Sequence, residues 1–156
     1  MMELTIPDFG ELRLNHLVMD YNGTLACDGI PMPGIKDRFE ALSKELCLQV
    51  ITADTFGRVR ADLEGWPCSV QILSPGNQAE QKLAFVRELG TQSCACLGNG
   101  RNDRLMLEAA ALGVAVLLDE GAAREALLAA DVVTPGILSA LDLLLHPLRL
   151  TASLRS

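Results

Sequence analysis

Four short stretches of the chain carry side chains suited to moving a phosphoryl group. They are Asp20 to Thr24 ("DYNGT"), Thr52 to Asp54 ("TAD"), Ser74 with the following Lys82, and Gly98 to Asp103 ("GNGRND"). Phosphoryl transfer needs a nucleophile, a hydroxyl or amide for the phosphate oxygens, a cation beside the intermediate, and acidic oxygen ligands for magnesium. The four stretches supply these in order. Each also has a plainer reading. Asp20 could serve only an Asx-type turn, Thr52 could be a β-branched strand residue, and Lys82 a solvated helix charge. Asn102 or Asp103 could merely cap a helix. It is the joint order and placement that favour chemistry.

Placement follows from the elements between them. Short apolar runs at "HLVMDY", "LQVITA", "SVQILS", "CACLGN", "GVAVLLD" and "DVVTP" alternate with segments of helical period, the pattern of a parallel sheet covered on both faces. Ile35, Phe39, Leu42 and Leu46 form one helical stripe behind Pro33 and Gly34. Ala79, Leu83, Val86 and Leu89 form another, which Gly90 ends. The four stretches then fall at carboxyl ends of strands, where open α/β sheets bind ligands. The opening "ELTIPDFGELRL" reads as a β-hairpin attached to the sheet. The final "GILSALDLLLHPLRLTASLRS" reads as a closing helix that frays beyond Pro147, with Ala152 to Ser156 poorly ordered. The expected fold class is α/β, a doubly wound, three-layer parallel sheet with an N-terminal hairpin, in one domain over residues 1–156.

Composition narrows the function classes. The chain is 49% hydrophobic and only 4% aromatic, so its core is built from Leu, Val, Ile and Ala. A net charge of −7 with no basic cluster argues against nucleic acid as a partner. The N-terminus lacks the apolar core of a secretory signal, and the apolar stretch "ALDLLLHPLRL" is broken by Asp142, His146, Pro147 and Arg149, so no membrane span is expected and a cytoplasmic location is. The five cysteines include no Cys-x-x-Cys pair and are expected to be reduced and mostly buried. His16 and His146 stand outside the four stretches; Trp66 reads as a loop anchor, and Arg101 and Arg104 as solvated loop charges.

From about Leu14 to Leu144 the sequence resembles the haloacid dehalogenase superfamily, and within it the phosphorylation domain of P-type ATPases. "DYNGT" is similar to the Asp-Lys-Thr-Gly-Thr of that group and "TAD" to its Thr-Gly-Asp. "AEQKLAFVRELG" and "GNGRNDRLML" are similar to its lysine helix and its Gly-Asp-Gly-x-Asn-Asp loop. The resemblance implies an aspartyl phosphate on Asp20, phosphoryl oxygens bound by Thr52, and charge offset by Lys82. It implies a phosphate cradle completed by Gly23, Thr24 and Ala53. It also implies Mg2+ held by Asp20, the backbone carbonyl of Asn22, Asn99 and Asp103.

Two residues depart from the superfamily's usual pattern. Hydrolases of the superfamily carry an aspartate two positions after the nucleophile to protonate the leaving alkoxide and later activate water; here Asn22 stands there, and an amide does no acid-base work. Asn99 stands where a loop aspartate binds magnesium, so one charged ligand becomes neutral. P-type ATPases also lack the first acid, because ADP leaves without a proton. Asn22 therefore means a good leaving group, a slow phosphoenzyme, or no turnover. The chain lacks the nucleotide-binding insertion and membrane helices of those pumps, so transport is excluded and ATP use is unsupported. No cap domain is expected either, and an open site suits a phosphorylated small molecule or macromolecule, or a lid supplied by a homo-oligomer. The expected activity is a magnesium-dependent phosphohydrolase, with a non-catalytic binding or regulatory domain as the alternative. A two-component receiver domain fits less well, since no early acidic pair precedes Thr52.

Overall fold

Apolar runs that must be buried on both sides set the architecture. The computed structural model describes residues 1–54 and 57–156. In chain order the strands are β1 (Met2–Ile6), β2 (Gly10–Leu14), β3 (His16–Met19), β4 (Ala26–Cys27), β5 (Ile30–Pro31), β6 (Cys47–Thr52), β7 (Ser69–Ile72), β8 (Cys94–Gly98), β9 (Leu112–Val116) and β10 (Val132–Thr134). The helices are α1 (Ile35–Leu42), α2 (Val59–Asp62), α3 (Gln78–Leu89), α4 (Arg104–Ala109), α5 (Arg124–Ala129), α6 (Ile137–Leu145) and α7 (Pro147–Leu154). Six strands form one sheet in the order β10-β9-β8-β3-β6-β7. Every pairing in it is parallel, so all six carboxyl ends lie along one edge.

Alternation along the central strands divides the core in two. Leu17, Met19, Ala95 and Leu97 face the larger cluster, with Ile35 and Phe39 of α1, Leu141 of α6 and Leu150 of α7. Val18, Cys94 and Cys96 face the other side, against Val86 of α3, Met106 and Leu107 of α4 and Ala126 of α5. The fold is thus a three-layer, doubly wound α/β structure, as the alternation of apolar runs and helical stripes predicts.

The predicted N-terminal hairpin is present as β1 and β2, but as its own two-stranded sheet, turned at Asp8 and Gly10 with positive φ at both. A second hairpin, β4 with β5, follows the Asp20 stretch and was not anticipated. Its sequence signal is Asp28-Gly29, whose φ values of 51 and 76 are those of a tight I′ turn. Helix α1 ends at Leu42, yet Leu46 is still buried, because the turn after the helix brings it back to the core.

Two expectations need correcting. Pro147 does not start a fraying tail. It stands at the first position of α7, where a missing N–H is harmless, and α7 turns away from α6 by 101° and continues to Leu154. The cysteines are free, but only Cys94 and Cys96 are buried; Cys27 and Cys68 are half-buried and Cys47 is exposed. Cys47 opens β6 ahead of that strand's buried run. Trp66 anchors its loop by packing edge-on against Phe39, with ring centroids 5.6 Å apart. Among the described residues no single helix is long and apolar enough to cross a membrane.

Candidate active site

Asp20 is the first residue past β3, and its amide donates to the Leu97 carbonyl of β8 at 3.0 Å. This ties the end of β3 to the neighbouring strand and fixes where the carboxylate emerges. The registers Met19 to Val50 and Met19 to Leu97 put Thr52 and Asn99 about level with the turn that follows Asp20. Lys82 comes from the middle of α3, on the same face as Ala79 and Val86. A helical stripe that would otherwise be apolar therefore delivers one ammonium beneath the sheet edge.

That ammonium is fully buried, and its Nζ lies 2.6 Å from Asp20 Oδ1 and 2.6 Å from Asp103 Oδ1. Burial pulls the lysine pKa down, but the two carboxylates outweigh it and hold the group charged. Asp103 is pushed up to about 6, first by burial and next by the charge of Asp20, against the opposing pull of Lys82 and the Gly100 amide. Its second oxygen accepts from the amides of Asn99 at 3.0 Å and Gly100 at 2.8 Å. Both of its oxygens are thus engaged, and it braces the loop that follows β8.

Thr24 Oγ1 lies 3.2 Å from Asp20 Oδ2 and 3.2 Å from Asn99 Oδ1, so one hydroxyl proton serves two acceptors. Asn99 is oriented by its own Nδ2, which donates to the Gly121 carbonyl at 3.1 Å. Gly23 has φ +78, and a Cβ there would sit 2.2 Å from Asn99 Nδ2; only glycine lets the two loops meet. Thr52 is buried, and its hydroxyl oxygen accepts from the Asp54 amide at 3.1 Å, leaving its proton free to donate. Ala53 follows at the sheet edge, where only its backbone has polar groups to offer. Asp20, Thr24, Lys82, Asn99 and Asp103 therefore form one hydrogen-bonded cluster; Thr52 and Ala53 flank it on the next strand without a hydrogen bond to it.

The donor chemistry suits a hard divalent cation. Asp20, Asp103, Asn99 Oδ1 and the Asn22 backbone carbonyl are all oxygens, as magnesium requires. Asn22 Oδ1 is buried and has no hydrogen-bond partner among the described residues, an acceptor left for a donor or cation the chain does not supply. Asn22 and Asn99 are both amides, so the acids of the cluster are two, Asp20 and Asp103.

Sequence reasoning missed the supports. Tyr21, buried directly after Asp20, donates from its hydroxyl to Asp62 Oδ2 at 2.9 Å, tying the turn that follows Asp20 to α2. Arg101 is exposed as expected and pairs with Glu125 at 3.3 Å, whereas Arg104 is not a loop charge: it opens α4, is half-buried and donates from Nη1 to the Arg101 carbonyl at 2.8 Å.

The chain matches no family model. It is 40% identical over 84 residues to the uncharacterized protein MJ0073 of Methanocaldococcus jannaschii, a match covering 90% of that protein and 51% of this chain. The two belong to one family. Among solved structures it resembles a putative 3-deoxy-D-manno-octulosonate 8-phosphate phosphatase from Vibrio cholerae, with TM-score 0.70 and 16% identity over 94% of this chain and 96% of that one. It also resembles the same phosphatase from Moraxella catarrhalis, solved with magnesium and phosphate, with TM-score 0.63 and 17% identity over 85% of this chain and 86% of that one. The cobalt-bound form of the Haemophilus influenzae phosphatase gives TM-score 0.65 and 17% identity over 86% and 88%. The fold is that of the haloacid dehalogenase superfamily. In this chain the haloacid dehalogenase fold is capless: among the described residues, only the small β4–β5 hairpin stands between β3 and α1.

Proposed function

We propose that the chain is a magnesium-dependent phosphohydrolase that forms an aspartyl phosphate on Asp20. The observation that carries this reading is the buried Lys82 ammonium held between Asp20 and Asp103 at the carboxyl edge of the sheet. A buried lysine with two carboxylates does little for stability that an apolar residue would not do, so its retention points to chemistry. In the reaction, an Asp20 oxygen attacks phosphorus while the bond from phosphorus to the leaving oxygen breaks, and the leaving group takes the electron pair. Water then cleaves the aspartyl phosphate, releasing inorganic phosphate and restoring the carboxylate. Lys82 offsets negative charge on Asp20 and on the transferred group. Thr52 donates to a phosphoryl oxygen, with Gly23, Thr24 and Ala53 lining the rest of the cradle. Asp20, the Asn22 carbonyl, Asn99 and Asp103 would hold magnesium, Asp103 directly or through water. Bound magnesium would neutralise charge on the phosphate.

Asn22 restricts the substrate. With an amide two residues past the nucleophile, leaving groups that depart as stable anions, such as acyl phosphates, are favoured over alkyl esters. A second reading rests on the same residue and on Asn99: the chain binds a phosphorylated ligand without turning it over. Assay of acetyl phosphate and p-nitrophenyl phosphate in magnesium, with Asp20→Ala as control, separates the two. Phosphate release lost in the variant is the expected result. Equal rates for both proteins would sink the enzymatic reading and leave the binding one.

A further inference from the structure

A cleft of about 540 Å³ opens along the same sheet edge, over the ends of β9 and β10. Cys27 and Met32 from the β4–β5 segment form one wall, Leu117 and Leu118 past β9 another, and Ile137 and Leu138 at the start of α6 the floor. Two of its walls are continuous with the candidate catalytic loops. The hairpin follows directly from the Asp20 turn, with Gly23 N donating to Ala26 O at 2.8 Å and Met32 N to Leu25 O at 2.9 Å. The loop after β9 is pinned to Asn99, through Asn99 Nδ2 to Gly121 O and Ala123 N to Asn99 O at 2.8 Å. The same residue that would hold the metal therefore also fixes one wall of the cleft.

The charge around this cleft has one sign. Asp119 lines it, and Asp28 and Glu120 stand beside Cys27, with the Asp28 amide donating to Glu120 Oε1 at 2.6 Å. The Cys27 thiol registers that field: burial, then Asp28, Glu120 and Asp119, push it above its ordinary value. Arg38, whose guanidinium and the Leu138 side chain both lie against Gly34, is already bidentate on Asp142. An apolar chamber with a carboxylate rim binds an apolar body and repels an anionic one.

Building on the phosphohydrolase reading, we infer that this cleft receives the part of the substrate that is not phosphate, and that this part is an apolar body, neutral or cationic. A polyhydroxylated sugar acid fits it poorly: beyond Asp119 and Ser139 the lining offers its hydroxyls few side-chain partners, and the rim opposes its carboxylate.

Two measurements test this. The first compares kcat/KM for 4-aminomethylphenyl phosphate and 4-carboxyphenyl phosphate, in the wild type and in Asp119→Lys, with acetyl phosphate as a body-less reference. The amine is expected to be preferred by at least about tenfold, the scale of one rim charge contact partly screened by water. Asp119→Lys should reverse the order, with each rate taken relative to that of acetyl phosphate in the same protein. The second titrates 15N-labelled protein with 4-phenylbutylamine and with 4-phenylbutyrate, which needs no turnover. The amine should shift the amides of Leu117, Leu118 and Ile137 to Ser139, and the acid should not. Turnover with no preference between the two aryl phosphates, or amine-induced shifts lying elsewhere or absent, overturns the inference alone. Shifts in the cleft with no Asp20-dependent turnover of any phosphate overturn the phosphohydrolase reading, and with it the leaving-group role of the cleft.

Discussion

Two sets of paired charges lie on opposite faces of the sheet. On the α3 face, Lys82 is wholly buried between Asp20 and Asp103. On the α1 face, Arg38 grips Asp142 of α6 with two contacts, Nε to Oδ1 at 2.7 Å and Nη2 to Oδ2 at 3.0 Å, and each side chain remains about a quarter exposed. The second pair joins two helices with geometry that is favourable and water still in reach. The first has given up nearly all of its water, and on the proposed reading its charges are arranged around a reacting position rather than between two elements to be joined. A structural pair minimises desolvation; a pair meant for chemistry accepts it.

Breaking the buried set should have the largest effect. Lys82→Met leaves Asp20 and Asp103 facing each other without a cation, so phosphate release should vanish and stability fall by about 3–5 kcal/mol. Asp103, already pushed up to about 6, should rise further once the opposing pull of Lys82 is removed. A group whose native pKa is raised stabilises the fold as protons bind, so the deficit in urea unfolding should shrink as pH falls from neutral toward 4. A deficit that does not change with pH would mean that the two carboxylates do not repel each other.

Next in size is a gain. Asn22→Asp restores an acid beside Asp20 and should raise hydrolysis of p-nitrophenyl phosphate and alkyl phosphates by something on the order of 10²-fold. Acetyl phosphate should respond less, because its leaving carboxylate needs no proton. Asn99→Asp should tighten magnesium, read by calorimetry, without changing the ratio of those two gains. Both asparagines precede glycine, so mass spectra of fresh protein should first show them undeamidated.

The smallest effect belongs to the half-exposed pair. Arg38 holds the Asp142 carboxyl below its ordinary range, chiefly by hydrogen bonding. Its stabilisation is therefore fully present above about pH 3.9, the unfolded value, and is lost as pH falls through the lower native one. Arg38→Gln should cost about 1 kcal/mol or less at neutral pH, and the difference from wild type should fade below about pH 3.

The same contrast explains what could be read from sequence. All six strands of the main sheet were legible because they are short apolar runs, and Asp20, Thr52 and Asp103 were legible because each ends such a run or opens the loop after it. Lys82 was legible by order alone: nothing local distinguishes a buried lysine on an amphipathic helix from a solvated one, and its burial depends on two partners 62 and 21 positions away. Arg38 with Asp142, 104 positions apart, had no local signature at all. The break at His146 was misread because Pro147 both ends helices and begins them; which it does depends on whether the next turn finds an apolar surface, and Leu150 does. The Tyr21 hydroxyl has no local signal because its partner is Asp62, 41 positions on, beyond the β4–β5 hairpin, α1 and β6.

The position of β3 between β6 and β8 has a consequence for how the molecule comes into being. On the ribosome the strand that accepts the Asp20 amide, β8, leaves the tunnel only after the β4–β5 hairpin, β6, β7 and helices α1 to α3 have been made. Parallel pairing of this kind waits on closure of long loops, which slows folding. Until β8 arrives, one edge of β3 is open and its apolar residues are exposed to misassembly. The nascent chain therefore carries Asp20 before it has the strand that fixes that carboxylate's place at the sheet edge, and β9 and β10 join the sheet only after β8.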